Sequence, residues 1–138
     1  MRRILVRTLA TILLTLVIVI GGLYGYLRQS LPTVDGEFAV AGISGSVDVI
    51  RDADGIPHVF GTSKRDVFYG LGWAHAQDRL WQMEFQRRVG HGRLSEIFGS
   101  LTVPQDRFLR TMGFGRAARS AWDRLPDDAR ELIEAYVA

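Results

Sequence analysis

Apolar positions along this chain follow three different periods. Residues 8–27 carry no charge and are apolar almost throughout. As a helix rising about 1.5 Å per residue, 20 such residues span about 30 Å, the hydrocarbon thickness of a bilayer. Residues 46–51 instead alternate and are rich in β-branched side chains, which predicts a strand. Asp52, Ala53, Asp54 and Gly55 read as a turn, and residues 56–60 return as a second strand with Pro57 at its start or edge. From Ser63 onward the spacing becomes helical. Ser63 with Asp66 three places on resembles an N-cap opening a short helix through Tyr69.

The strongest helical stretch is predicted over 70–90. Trp73, Ala76, Leu80 and Met83 form one stripe, and Ala74, Trp81 and Phe85 form a neighbouring one. Two stripes predict burial from more than one side. Glu84 precedes Arg87 and Arg88 by three and four residues, a favourable order for helix ion pairs. Gly90, His91 and Gly92 are expected to break this helix, and 93–98 to add another turn or two before Gly99. Shorter helices are predicted over 104–112 and 115–125. Pro126, Asp127 and Asp128 open a last one, with acids facing the positive helix end. That helix meets no stop signal before Ala138, so the chain is expected to be a piece of a longer one.

The pattern therefore predicts an α+β chain: an N-terminal transmembrane helix, a short β-hairpin and a mainly helical segment. By residue, 1–28 is a cytoplasmic stub with a signal-anchor helix (span 8–27), 29–45 a linker with turn residues, and 46–138 an incomplete domain. Arg2, Arg3 and Arg7 precede the span and only Arg28 follows it, which puts the N-terminus in the cytoplasm and the remainder outside. Tyr24 and Tyr26 suit the headgroup boundary. A cleaved signal peptide is the competing reading. Bulky residues follow the apolar run, and the small-x-small site at Ala39, Val40 and Ala41 lies about a dozen residues too far out, so an uncleaved anchor is expected. Gly21, Gly22 and Gly25 read as ordinary glycines of such a span rather than a dimer surface.

Charge alters the picture once the anchor is set apart. The whole chain has 17 basic and 15 acidic residues; removing the four anchor-region arginines leaves 13 basic, slightly fewer than the acids. No nucleic-acid partner is expected from that balance. The chain has no cysteine, which excludes thiolate chemistry and disulfides.

Candidate chemistry is sparse. His75 and Asp78 lie three apart on one helix face, but two ligands do not make a metal site, and His58 and His91 have no spacing that nominates them. Asp78 and Arg79 read as paired polar groups at the edge of a helical core. Asp52 and Asp54 read as turn residues that bond their own backbone. No serine sits in a G-x-S-x-G or S-x-x-K motif, and the glycines form no phosphate loop. No catalytic, cofactor-binding or metal-binding residue is assigned within the chain.

One resemblance goes further than the spacing. The run Val49-Ile-Arg-Asp-Ala-Asp-Gly-Ile-Pro-His58, then Asp66-Val-Phe-Tyr-Gly-Leu-Gly-Trp-Ala-His-Ala-Gln-Asp-Arg-Leu-Trp-Gln-Met83, then Arg87-Arg88 and Gly92-Arg-Leu-Ser-Glu96 before Gly99, resembles the start of the penicillin acylase (penicillin amidase) family. The resemblance implies part of an αββα N-terminal nucleophile hydrolase. Such a precursor cuts itself into α and β chains, and the new N-terminal serine of β attacks a linear amide: the acyl side chain of a β-lactam, an acyl-homoserine lactone or a similar molecule. That serine, the oxyanion donors, most of the acyl pocket and the calcium ligands of the family all lie beyond Ala138. It further implies that Asp78, Arg79, Trp73 and Trp81 pack helices rather than touch substrate. The expected partners are the membrane, a small amide substrate and the self-cleaved β chain of the same precursor. The expectation is the N-terminal part of a membrane-anchored amidohydrolase, inactive alone. The alternative is a non-catalytic, membrane-tethered interaction module of the same ancestry.

Overall fold

A computed structural model describes residues 2–138, with side chains from Arg3 onward. Met1 and the Arg2 side chain, both assigned to the cytoplasmic stub by sequence, lie outside the described residues. The chain divides into two compact units, the first ending at Gly36 and the second running over Glu37–Ala138.

The first unit is one long helix, α1, Arg2–Arg28. Within its part from Arg3 to Arg28 an 18-residue window has a mean hydropathy of 2.5, so the helix is long and apolar enough to cross a bilayer, a test that a signal sequence near the N-terminus also passes. The threonines inside it do not leave polar groups stranded. Thr8, Thr11 and Thr15 donate their hydroxyls to the carbonyls of Leu5, Arg7 and Thr11, each at 2.9 Å. Past its end, Gln29, Ser30 and Leu31 donate to carbonyls three residues back, a tightened last turn that satisfies groups an α-helix end leaves open.

The second unit mixes helix and sheet. Strands β1 (Val47–Arg51) and β2 (Pro57–Gly61) pair antiparallel, with Val47 opposite Gly61 and Arg51 opposite Pro57. The turn between them holds itself. The Asp52 carboxylate accepts from the backbone N–H of Asp54 and Ile56, while Gly55 takes φ 77°. Pro57 begins its strand, the position where a missing N–H does least harm.

Helix α2, Lys64–His91, is 28 residues long and begins where the cap was read: the Ser63 hydroxyl accepts from the Asp66 N–H. The short helix expected through Tyr69 and the one expected over 70–90 are a single helix. Glycine at 70 and 72 marks close approach rather than a break. A Cβ on Gly70 would meet Val47 and Val59 of the hairpin at 2.7 and 2.8 Å. A Cβ on Gly72 would lie 2.0 Å from the Tyr136 carbonyl oxygen of α6. Two residues on a helix are about 200° apart, so α2 is clasped on opposite sides by sheet and helix. Gly90 also continues the helix; the stop comes at Gly92, in the left-handed region at φ 61°. There Gly92 donates to Val89 and Arg93 to Arg88, the Schellman arrangement that satisfies the last carbonyls. The helix departs from helical geometry once, at Arg79 (φ −137°, ψ 18°).

Beyond Gly92 follow α3 (Ser95–Phe98), a 3-10 turn (Gly99–Thr102), α4 (Val103–Met112), α5 (Phe114–Trp122) and α6 (Asp127–Val137). Helix α5 ends three residues before the expected Leu125. Arg130 of α6 donates to the carbonyls of Trp122 and Leu125, capping α5 from outside, with its guanidinium 5.9 Å from the Trp122 ring. The acids of the first turn of α6 are where the macrodipole favours them.

The expected burial of α2 from several sides holds only for its first half. Gly70, Gly72 and Ala74 are buried, whereas Leu80 and Trp81 are 64 % and 53 % exposed. Among the described residues the buried hydrophobic side chains are Ala74, Leu94 and Ala135, a very small core.

Candidate functional site

Of the polar side chains singled out by sequence, Asp52, His58, His75 and Asp78 are tied to the fold. Asp78 does not pair with its neighbour Arg79, as sequence reading had it. Both its carboxylate oxygens accept from the Arg51 guanidinium at 2.9 and 3.0 Å, and Arg51 also reaches Gln77 at 3.2 Å. This two-pronged contact pins the end of β1 to the middle of α2, one residue before the departure at Arg79. His75, on the same helix face by spacing, turns elsewhere: its Nδ1 is 2.8 Å from the Tyr136 hydroxyl, with the rings edge to face at 5.7 Å. The two therefore do not converge on a common ion. Among the described residues no three His, Asp or Glu side chains form a metal-binding group. His58 faces the turn, its Nε2 3.0 Å from the second oxygen of Asp52. That contact, with the turn N–H donors, holds the Asp52 carboxyl below its usual range.

Two carboxylates are buried, and sequence reading gave neither its actual role. Asp66 is fully buried. Its oxygens accept the hydroxyl of Ser44 at 2.6 Å and the Ser44 N–H at 2.9 Å, bonds that hold its pKa at about 2. The Arg65 guanidinium donates to the Gly42 carbonyl alongside. Phe38 lies 5.6 Å from the Trp73 ring. Residues 37–45, which contain no helix or strand, are thereby fastened onto α2. Asp106 of α4 does the same for the chain leaving α2. Burial pushes its carboxyl up, but donation from the Ser95 hydroxyl at 2.5 Å and from the N–H groups of Ser95 and Leu94 at 2.8 Å outweighs this and leaves it lowered. Asp106 thus caps α3 from another helix. For Asp66 a signal was present in the Ser63-to-Asp66 spacing, but it foretold only the cap; for Asp106 nothing in the spacing pointed to Leu94 and Ser95.

Ion pairs line the second half of α2. Glu84 accepts from Arg87 and from Arg88, as its spacing predicts; Arg87 foremost, then Arg88, lowers its pKa to about 2. Glu96 accepts from Arg88 and Arg93. On the adjoining surface Trp81, Phe85 and Phe98 meet pairwise, with ring centroids 6.3 to 6.4 Å apart. What this assembly offers is an apolar, aromatic surface beside matched charges, not a reacting centre.

Comparison with known proteins places these elements. A family model described as penicillin amidase matches residues 46–138. The chain is 38 % identical over 112 residues to penicillin acylase 2 proenzyme of Pseudomonas sp. (strain SE83), covering 81 % of this chain and 14 % of that protein. It is 32 % identical over 108 residues to acyl-homoserine lactone acylase QuiP of Pseudomonas aeruginosa, covering 78 % of this chain and 13 % of the relative. A solved thermostable penicillin G acylase from Alcaligenes faecalis superposes with a TM-score of 0.60 at 35 % identity, covering 66 % of this chain and 49 % of that one. The chain thus spans about one seventh of the length of the curated relatives it matches. From the hairpin through α6, this chain belongs to the penicillin amidase family.

Proposed function

We propose that these residues are the N-terminal part of an amide hydrolase, held to a membrane by α1, whose reacting groups lie in polypeptide beyond Ala138. The observation that carries this reading is the match of 46–138 to the penicillin amidase family together with the small share, 14 %, of a proenzyme that the chain covers. The solved acylase adds support. This chain covers half of that polypeptide but a seventh of the proenzyme, as expected if a long precursor yields a shorter mature chain.

In the full protein a serine freed at a new N-terminus would attack the carbonyl of a linear amide, its own α-amino group taking the hydroxyl proton. The amine leaves, and water then releases the acyl group as a carboxylic acid. The relatives' names, a penicillin acylase and an acyl-homoserine lactone acylase, support an acylated β-lactam or homoserine lactone as substrate class. The residues here act at a distance from that step: Arg51 with Asp78, and Asp66 with Ser44, fix the hairpin and the preceding segment on α2. Calcium is carried by the resemblance only. Among the described residues no group of three His, Asp or Glu side chains comes together that would hold it.

The test is expression of the whole reading frame. We expect one precursor to become two chains, the second beginning with serine, and the pair to release amine from penicillin G or an acyl-homoserine lactone. Replacing that serine with alanine should abolish both cleavage and release. A reading frame with no such serine, or a precursor that stays whole and inactive, would count for the non-catalytic module instead.

Membrane attachment has its own measurement. With α1 as an uncleaved anchor, the mature protein should stay in the membrane pellet through alkaline carbonate extraction, and deletion of residues 2–28 should release it. A mature N-terminus found after Ala41 would show that the helix is removed as a signal peptide.

A further inference from the structure

We propose that the departure from helix at Arg79 is a joint in α2, held closed by the grip of Arg51 on Asp78, about which the second half of α2 moves together with α3, α4 and α5. The local sequence does not ask for a break. Gln77, Arg79 and Leu80 are strong helix formers, and no proline, glycine or serine lies between Ala76 and Glu84. Yet Arg79 stands at φ −137° and ψ 18°, whereas Gly70, Gly72 and Gly90, far weaker helix formers, stay within the helix. Where proline, glycine and serine are absent, a kink comes from a group that engages the helix from outside.

That group is the Arg51 guanidinium. It donates to both oxygens of Asp78 at 2.9 and 3.0 Å and to the Gln77 side-chain oxygen at 3.2 Å, the two residues just before the break. Donation to the Gly55 carbonyl at 3.3 Å ties the same guanidinium to the hairpin turn. A planar guanidinium on a carboxylate fixes orientation as well as distance, so the end of the first half of α2 is aimed from β1.

Contacts on the two sides of Arg79 sort into two bodies. Before it, Gly70 lies against the hairpin, Gly72 and His75 against Tyr136 of α6, and Asp66 holds Ser44. After it, Arg88 donates to Glu96, Gly92 lies against Asp106 and Arg110 of α4, and Gly115 of α5 lies against Gly90 and His91. The chain crosses between the bodies at Arg79 and again at 123–126, where Arg130 of α6 holds the carbonyls of Trp122 and Leu125. Packed bodies joined at a few element-ending residues move about them as hinges. The Arg51 and Asp78 side chains are 21 % and 33 % exposed, so their contact can open without unpacking either body.

The test uses the full-length gene product carrying paired nitroxide labels on introduced p-acetyl-phenylalanine. One pair replaces the exposed Lys64 and Gln86, on opposite sides of the joint; a second replaces the exposed Gln86 and Gln105, both in the second body. In Arg51→Gln, double electron–electron resonance should show the first distance lengthening toward about 33 Å, the span of 22 residues of unbroken helix. The second distance should not change. Asp78→Asn, which weakens the same contact without touching the hairpin turn, should shift the first distance in the same direction. A first distance unchanged in either variant would overturn the proposal. A change in both distances, or a broad spread of both, would mean that Arg51 keeps the whole unit folded rather than closing a joint, and would overturn it equally. These distances do not depend on whether the protein hydrolyses amides, so the proposed activity and the joint can fail separately.

Discussion

Replacing Gly72 with alanine is expected to separate α6 from α2 and to cost about 3 kcal/mol or more in stability. The added Cβ would lie 2.0 Å from the Tyr136 carbonyl oxygen, 2.9 Å from its carbonyl carbon and 3.2 Å from its Cα. All three are backbone atoms, which cannot swing aside as the end of a side chain can. Moving them also lengthens the 2.8 Å contact between the Tyr136 hydroxyl and His75, and disturbs the packing of buried Ala135. Gly90 on the same helix makes the comparison sharp. A Cβ there has nothing within 4 Å and the residue is helical, so Gly90→Ala should be neutral or stabilise by about 0.5 to 1 kcal/mol. Thermal unfolding followed by far-ultraviolet circular dichroism separates the two. Equal melting temperatures for the two variants would mean that α6 does not sit on Gly72.

The second large effect belongs to Asp66. Removing its buried carboxylate with Asp66→Ala deletes two charge-assisted hydrogen bonds from the Ser44 hydroxyl and N–H and the tie they make to residues 37–45, and should lower the melting temperature by about 10 °C at neutral pH. The same bonds set a pH dependence. In the fold its pKa is about 2 against an ordinary 3.8, so the folded state favours the ionised carboxyl. That stabilisation is complete above about pH 4 and is lost as pH falls through 3.8 toward 2. Asp106, also lowered, acts in the same direction, so Asp66→Asn should flatten the acid slope without abolishing it. Melting temperatures between pH 7 and pH 2 read this directly, and an unchanged acid slope in Asp66→Asn would contradict it. Residues 37–45 should be the first to come free as Asp66 is protonated, because Ser44 is its partner there.

Both effects arise where sequence spacing was silent or misread. Gly70 and Gly72 have low helix propensity, and spacing along the chain assigns them no role. Their actual work depends on Val47, Val59 and Tyr136, which are 11 to 64 residues away along the chain. Asp66 was legible as part of a helix start because the Ser63 cap is a local hydrogen bond; its reach to Ser44, 22 residues back, was not. Asp78 was legible as a paired charge, but its partner is Arg51, 27 residues away, rather than the adjacent Arg79.

The sequence by itself determined what neighbours along the chain can decide. The uncharged stretch within α1, the alternation of β1 and β2 around a self-bonded Asp52 turn, the Ser63 cap, the Glu84 ion pairs and the proline-led start of α6 all follow from contacts within about six residues. The ordered motifs from Val49 to Gly99 also carried the family. Tertiary structure alone decided that α2 is one helix clasped at Gly70 and Gly72, that two buried aspartates fasten the segments on either side of it, and that Trp81 and Phe98 remain half in solvent. Those outcomes turn on which elements meet, and burial is a property of the neighbours a residue acquires in space, which periodicity along one helix does not contain.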